Sequence, residues 1–227
     1  GSGPDRRRAL MGAHSSRPGI PLRALAPNAV TALALCTGLS GAWFAMQGRW
    51  ENAVAAIVIA GVLDAMDGRI ARMLKGESRF GAELDSLSDV IAFGATPALV
   101  LYMWVMQDMP RFGWTISVFF VLCAALRLAR FNAQIDTDNQ PHKSAGFNTG
   151  VPSPPGAALA LLPMMIWFET GAEWVRDYRL LAPWLLLCAF LMVSNVATYS
   201  WSSIKIRRSL RFMALAAVSL FVATLVA

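Results

Sequence analysis

Histidine, cysteine and charge are all scarce in this sequence, and each scarcity excludes a class of site. The two histidines, His14 and His142, lie far apart in polar segments, which argues against a zinc or haem centre. The three cysteines each fall inside an apolar run, without the spacing of metal ligands or of a disulfide framework. The cations form no stripe interleaved with aromatics, so no nucleic-acid partner is expected. Charged residues are 15% of the chain, against roughly 25% in soluble domains, and this low charge content is typical of a membrane protein.

Long apolar runs are what the sequence has instead. Hydrophobic residues are 56% of the 227 residues, and they cluster in runs long enough to cross a hydrocarbon core, which takes about 20 helical residues. Seven runs are predicted to be spans: 29–46, 52–74, 86–107, 114–132, 150–168, 180–200 and 210–227. A short interfacial helix is predicted at 20–25, before Pro27 and the first span. The predicted fold is therefore all-α, a polytopic transmembrane helix bundle of six core spans with at least one extra C-terminal span.

The positions of the lysines and arginines predict the orientation of the spans. Sixteen of the twenty lie in the N-terminal segment or beside the loops after spans two, four and six. Because cytoplasmic segments are enriched in these residues, the N-terminus and those three loops are predicted to be cytoplasmic, in the cell (inner) membrane. The expected organisation is a basic cytoplasmic segment (1–26), a membrane domain of six spans (27–200) and a basic loop with an additional span (201–227).

Four aspartates near the cytoplasmic ends of spans two and three form the most informative pattern. Asp64 and Asp67 are three residues apart and Asp85 and Asp89 are four apart, so each pair shares a helix face, and the short loop brings the pairs together. One Asp at the centre of a span costs about 2.5–3.5 kcal/mol, and mutual repulsion adds to that cost. Oxygen ligands without His or Cys favour Mg²⁺ or Mn²⁺, and four carboxylates suit two ions about 3.5–4 Å apart. An ion pathway or a proton relay is the alternative.

The aspartates belong to a longer pattern, D-x2-D-G-x2-A-R-x8-G-x3-D-x3-D, over residues 64–89. The chain matches every fixed position and so resembles the CDP-alcohol phosphotransferase family. The resemblance implies a site open to the cytoplasm, a CDP-linked donor, an alcohol acceptor and release of CMP by direct attack on the lipid-side phosphorus. It also implies that Asp64, Asp67 and Asp85 bind metal, and that Asp89 is the general base with some metal contact. A homodimer is implied by the family alone.

The same resemblance assigns other residues to the nucleotide and its diphosphate. Gly68 and Gly81 would let helix backbones approach the nucleotide, with close helix packing as the alternative. Arg72 is expected to pair with the donor diphosphate, or else to serve the positive-inside asymmetry. Asn28 and Thr31 of span one are candidates for nucleotide contact, and capping of span one is equally compatible with them.

Three further segments, 27–31, 124–132 and 147–154, resemble the phosphatidylserine synthase branch of the family. Arg127 and Arg130 are three residues apart at the cytoplasmic end of span four, and Asn132 is beside them. This group suits an acceptor or lipid that bears carboxylate and phosphate, and snorkelling to head groups is the alternative for both arginines. Ser153, in a proline-rich stretch that also reads as a helix start, is the remaining acceptor candidate.

The sequence therefore predicts a metal-dependent enzyme that transfers the phosphatidyl group of CDP-diacylglycerol to L-serine among membrane lipids and releases CMP. Glycerol phosphate is anionic too, so phosphatidylglycerophosphate synthase, or another enzyme of the family, is the close alternative. A metal-ion or proton transporter is the distant alternative. A transporter is disfavoured because spans four to seven contain no second cluster of acidic residues that could continue an ion pathway.

Overall fold

The structure, a computed structural model, describes residues 22–74, 78–135, 147–149, 151–194 and 197–199. Its helices are α1 (Leu22–Met46), α2 (Trp50–Leu74), α3 (Arg79–Asp89), α4 (Thr96–Trp104), α5 (Gly113–Ile135), α6 (Ser153–Thr170) and α7 (Tyr178–Val193). A π-helical turn, Val90–Ala95, joins α3 to α4 without a break. Two short strands, β1 (Phe147–Thr149) and β2 (Ala197–Tyr199), pair antiparallel. The predicted helical class is confirmed, with the strand pair as an addition to it.

Within the described ranges, three helical segments are long and apolar enough to cross a membrane by length and composition: Leu25–Met46, Arg79–Trp104 and Gly113–Ala133. α7 is apolar but shorter, and α2 carries charged residues towards both ends. The chain is therefore a helical membrane protein. The count of six core spans stays a prediction, and the seventh predicted run, 210–227, lies outside the described residues.

α1 begins earlier than predicted and runs through Pro27. The sequence predicts a separate short helix at 20–25, whereas the structure has one helix from Leu22 onwards, so that prediction is wrong. Pro27 lies in the second turn of α1, where its missing N–H removes one helical hydrogen bond without ending the helix. Asn28 and Thr31 therefore lie inside α1, and capping of span one is excluded for both.

The helix that carries Asp89 changes its winding immediately after that residue. The π-helical turn occupies Val90–Ala95, and α4 follows with Pro97 in its first turn. Pro97 has no N–H to return to the preceding turn, and a wider turn accommodates it: the N–H of Thr96 donates to the carbonyl of Ile91, five residues earlier. Single π turns within α-helices are frequent at functional sites, and this one adjoins Asp89.

Small residues let α1 lie close to the helices that carry the aspartates. α1 packs along α2 and also contacts α3 and the π-helical turn. A Cβ on Gly38 would come within 2.6 Å of the Ala92 Cβ, and one on Gly41 within 3.0 Å of the Ala53 carbonyl oxygen. The close approach depends on both glycines, and it allows α1 to hold α2 and α3 side by side.

α6 and α7 are joined by a hydrogen bond that a proline makes possible. Pro163 lies inside α6, so the carbonyl of Leu159 has no helical N–H donor. The indole Nε1 of Trp184 on α7 donates to that carbonyl at 3.0 Å. In an apolar environment an unsatisfied backbone carbonyl is costly, so the bond stabilises the contact between these helices.

Both ends of the α6–α7 region differ from the predicted spans. α6 starts at Ser153, after Pro152 and with proline in its first turn, which confirms that the proline-rich stretch is a helix start. α7 ends at Val193, because Ser194 is extended (φ −61°, ψ 152°) and Ala197–Tyr199 forms β2. The predicted end of span six at residue 200 is therefore wrong: this segment pairs with β1 instead of continuing the helix.

Candidate active site

α2 presents two aspartates one turn apart towards its C-terminal end. Asp64 is half-buried, and Asp67 is only 5% exposed. The hydroxyl of Thr31 on α1 donates to Asp67 Oδ2 at 2.6 Å. The carboxylate that is most enclosed by protein is thus the one that has a buried donor.

Ser78 determines where the aspartates of α3 fall. It precedes the helix with extended φ and ψ (−130° and 150°), and its side chain accepts a hydrogen bond from the Gly81 N–H at 3.0 Å. This cap starts α3 ahead of the predicted span boundary at residue 86. Asp85 and Asp89 consequently lie within a formed helix, one turn apart and on one face.

Carboxylates from the two helices meet at one point. Oxygens of Asp64, Asp67 and Asp85 all lie within 4.8 Å of one another. Asp89 lies outside this close group, but the charges of Asp64 and Asp85 act on it. The predicted convergence is therefore present in the structure for Asp64, Asp67 and Asp85, while the role of each aspartate stays a prediction.

The donor set of this cluster fits a hard divalent cation. Carboxylate oxygens bind Mg²⁺, Mn²⁺ or Ca²⁺ at about 2.0–2.6 Å, which places opposite ligands about 4–5 Å apart. The spacing of 4.8 Å or less between the three carboxylates agrees with that range. Asp89 Oδ1 is buried and has no hydrogen-bond partner among the described residues, so a further acceptor is available. These residues could hold metal without rearrangement of the helices.

Arg127 of α5 is the cation whose charge acts on Asp89. Its Nη1 donates to the Ser153 hydroxyl at 2.7 Å, and Ser153 is buried at the start of α6. The Arg127 Nε is itself buried and has no partner in the described part of the chain. A buried carboxylate oxygen and a buried guanidinium nitrogen therefore both remain available to a polar ligand.

The other two acceptor candidates differ in their surroundings. Arg130 is exposed, as snorkelling to head groups requires. The Asn132 side-chain amide donates to the Ser86 hydroxyl at 2.9 Å and so connects α5 to α3 next to Asp85. The structure thus ties Arg127, Ser153 and Asn132 into the helices around the aspartates and leaves Arg130 at the surface.

The two glycines of the pattern occupy different environments. Among the described residues, nothing lies within 4 Å of where a Cβ on Gly68 would be, so close helix packing does not explain this glycine. A Cβ on Gly81 would come within 2.8 Å of the Asn28 side-chain oxygen, so Gly81 does serve a close contact between α3 and α1. The Arg72 side chain is exposed. Nucleotide contact by these residues stays a prediction.

Two serines between Asp85 and Asp89 were not identified from the sequence. Ser86 exchanges hydrogen bonds with Asn132, and Ser88, which is buried, donates to the Thr31 carbonyl at 3.4 Å. A signal was present in the sequence, since both serines lie at the start of a predicted span, where polar side chains need partners. The partners themselves lie 46 and 57 residues away, and spacing along one helix does not predict them.

The sequence is similar to a known protein family and to several of its members. A CDP-alcohol phosphatidyltransferase family model matches residues 24–201. The chain is 38% identical over 187 residues to the CDP-diacylglycerol–serine O-phosphatidyltransferase of Mycobacterium bovis, covering 82% of this chain and 65% of that protein. It is 34% identical over 201 residues to the protein of the same name from Helicobacter pylori, covering 86% of this chain and 81% of the relative.

The Mycobacterium leprae protein of that name is similar over more of the chain, with 34% identity over 211 residues, or 93% of this chain and 70% of the relative. The chain spans 65% of the length of the Mycobacterium bovis relative, slightly under two thirds. The family match covers most of the chain and contains the whole pattern at 64–89. The protein therefore belongs to the CDP-alcohol phosphatidyltransferase family.

Proposed function

We propose that the protein transfers the phosphatidyl group of CDP-diacylglycerol to the hydroxyl of L-serine, giving phosphatidylserine and CMP. The observation that carries this proposal is the convergence of Asp64, Asp67 and Asp85, whose carboxylate oxygens lie within 4.8 Å of one another. The names of the bacterial relatives, at 34–38% identity, support serine as the acceptor.

The reaction is a direct displacement at phosphorus. The serine hydroxyl oxygen bonds to the phosphorus on the diacylglycerol side, and the bond from that phosphorus to the oxygen shared with CMP breaks. CMP leaves with the bridging oxygen and the electron pair of that bond. Asp89 accepts the hydroxyl proton, and its buried, unpartnered Oδ1 supports this role.

Asp64, Asp67 and Asp85 are the proposed metal ligands, with Asp89 as a further ligand, and two ions of Mg²⁺ or Mn²⁺ are proposed. Such ions, when bound, neutralise the diphosphate and stabilise the charge that develops on the leaving group. The open space beside Gly68 supports its contact with the nucleotide, for which Asn28, Gly81 and Arg72 are the other proposed contacts.

Arg127 is the proposed ligand of the serine carboxylate. Ser153 holds one end of its guanidinium at 2.7 Å, while the buried Nε lacks a partner among the described residues. A carboxylate can accept two parallel hydrogen bonds from a guanidinium, an arrangement that lysine cannot reproduce. The charge of Arg127 also acts on Asp89, which supports the placement of the serine hydroxyl near that base.

Arg127→Lys is expected to raise the KM for serine about ten- to a hundredfold, because one charge-assisted hydrogen bond is worth about 1.5–3 kcal/mol. The KM for CDP-diacylglycerol is expected to change much less. Arg130→Lys, at an exposed position three residues later on the same helix, is the matched control and should leave both values within about twofold. An unchanged KM for serine in Arg127→Lys would remove this arginine from the acceptor site.

The function is tested by CMP release from purified protein in detergent, with CDP-diacylglycerol, Mg²⁺ or Mn²⁺, and one alcohol at a time. Serine should support turnover, whereas glycerol 3-phosphate and inositol should support little. A preference for glycerol 3-phosphate would defeat the acceptor assignment and leave the family intact. No CMP release with any alcohol would defeat the proposed activity.

We also propose six core membrane spans, followed by at least one further span, with the N-terminus and the aspartates on the cytoplasmic side, from the uneven distribution of cations. Glu83 and Glu173 are exposed and lie on opposite sides in this proposal. Single cysteines are placed at these positions in a variant that lacks the exposed Cys36. A membrane-impermeant thiol reagent should label Glu83→Cys only in inverted vesicles. It should label Glu173→Cys only in intact cells. Labelling of Glu83→Cys in intact cells would reverse the orientation.

A further inference from the structure

We propose that Thr31 is a positioning residue for the metal cluster: its hydroxyl holds Asp67 Oδ2 so that Oδ1 serves as the metal ligand. The inference rests on the proposed metal site, and it gives Thr31 a role other than direct contact with the nucleotide. Thr31 is 4% exposed and Asp67 is 5% exposed. The oxygen–oxygen distance of 2.6 Å is typical of a hydroxyl that donates to an ionised carboxylate.

The single hydroxyl hydrogen of Thr31 has two possible acceptors. The Pro27 carbonyl oxygen is 3.1 Å away, and Asp67 Oδ2 is 2.6 Å away. The Pro27 carbonyl is four residues earlier in α1, so the backbone N–H of Thr31 already serves it within the helix. The carboxylate is closer and carries the charge, so it accepts the hydrogen bond of the Thr31 hydroxyl.

Thr31 is also fixed from the side of α3. The Ser88 hydroxyl donates to the Thr31 carbonyl at 3.4 Å, and Ser88 directly precedes Asp89. A single residue of α1 therefore contacts α2 through its side chain and α3 through its backbone. Groups that orient a metal ligand without touching the metal typically contribute 10–100-fold to metal affinity.

The test measures Mn²⁺ binding to the full chain in detergent by electron paramagnetic resonance. This measurement needs neither substrate nor turnover. Thr31→Val keeps the branched shape and removes the hydroxyl, and it is expected to weaken Mn²⁺ binding about 10–100-fold. Thr31→Ser restores the hydroxyl and should bind Mn²⁺ within about threefold of the original chain. In the CMP assay, Thr31→Val should need more metal for half-maximal rate while the KM for serine is unchanged.

Thr37→Val is the matched control, because among the described residues the Thr37 hydroxyl donates only to the Leu33 carbonyl of its own helix, at 2.7 Å, and the variant should bind Mn²⁺ normally. Unchanged Mn²⁺ affinity in Thr31→Val, or equal losses in Thr31→Val and Thr31→Ser, would overturn the inference. If Thr31→Val does not fold, Thr31→Ala takes its place. If neither variant folds, the Thr31 hydroxyl is required for folding, and the inference is overturned as well. Absence of Mn²⁺ binding by the original chain would instead defeat the proposed metal site.

Discussion

Asp89→Asn is expected to lower the rate of CMP release about 100- to 10,000-fold, the usual contribution of general acid–base catalysis. The amide has nearly the size of the carboxylate but cannot accept the proton of the attacking hydroxyl. CMP release at saturating CDP-diacylglycerol and serine measures the effect. Glu83→Gln, an exposed position on the same helix, is the control and should retain full activity.

Metal binding separates the two roles proposed for Asp89. The close group of carboxylates consists of Asp64, Asp67 and Asp85, so Asp89→Asn should retain most of its Mn²⁺ affinity, whereas Asp64→Asn should lose it. If the two variants lose Mn²⁺ affinity equally, Asp89 acts chiefly as a ligand. Turnover by Asp89→Asn at near the original rate would exclude it as the base.

Removal of divalent metal is expected to abolish activity, and Mg²⁺ or Mn²⁺ should restore it. Three carboxylates within 4.8 Å repel one another in a partly buried site, and a diphosphate would add further negative charge unless cations offset it. CMP release after treatment with EDTA, and then during titration with each metal, measures the effect. Asp67→Asn and Asp85→Asn should each fail to recover at metal concentrations that restore the original chain.

The metal titration also tests the proposed number of ions. Two ions predict a stoichiometry of two Mn²⁺ per chain by equilibrium binding and a rate that rises more steeply than in proportion to free metal. A stoichiometry of one would leave a single-ion site that still satisfies the three close carboxylates. Full turnover in EDTA would exclude the metal mechanism altogether.

The convergence of the aspartates could be predicted because it depends on local spacing. Residues three or four apart share a helix face whatever surrounds the helix, and a short connection keeps the ends of α2 and α3 close. The apolar runs likewise predict helices, since backbone groups in lipid must be satisfied within the segment. These two arguments locate Asp64, Asp67, Asp85 and Asp89 without knowledge of any other contact.

Helix boundaries and distant partners could not be predicted in the same way. Pro27 suggests a helix start, but a proline near a helix N-terminus removes little, and α1 continues through it. The start of α3 depends on the cap at Ser78, and the end of α7 depends on strand pairing with residues some fifty positions earlier. The bonds of Thr31 to Asp67 and of Arg127 to Ser153 depend on helix packing, which periodicity along one chain segment does not specify.

The hydrogen bond between Trp184 and the Leu159 carbonyl couples positions 163 and 184 energetically. Restoring an ordinary helical residue at position 163 would supply an N–H for that carbonyl and leave the indole of Trp184 as a donor with nothing to bind. Losing the indole while Pro163 remains would leave the carbonyl unpaired in an apolar setting. Each single change is therefore expected to cost more stability than the double change, so the two substitutions should be non-additive when unfolding is measured.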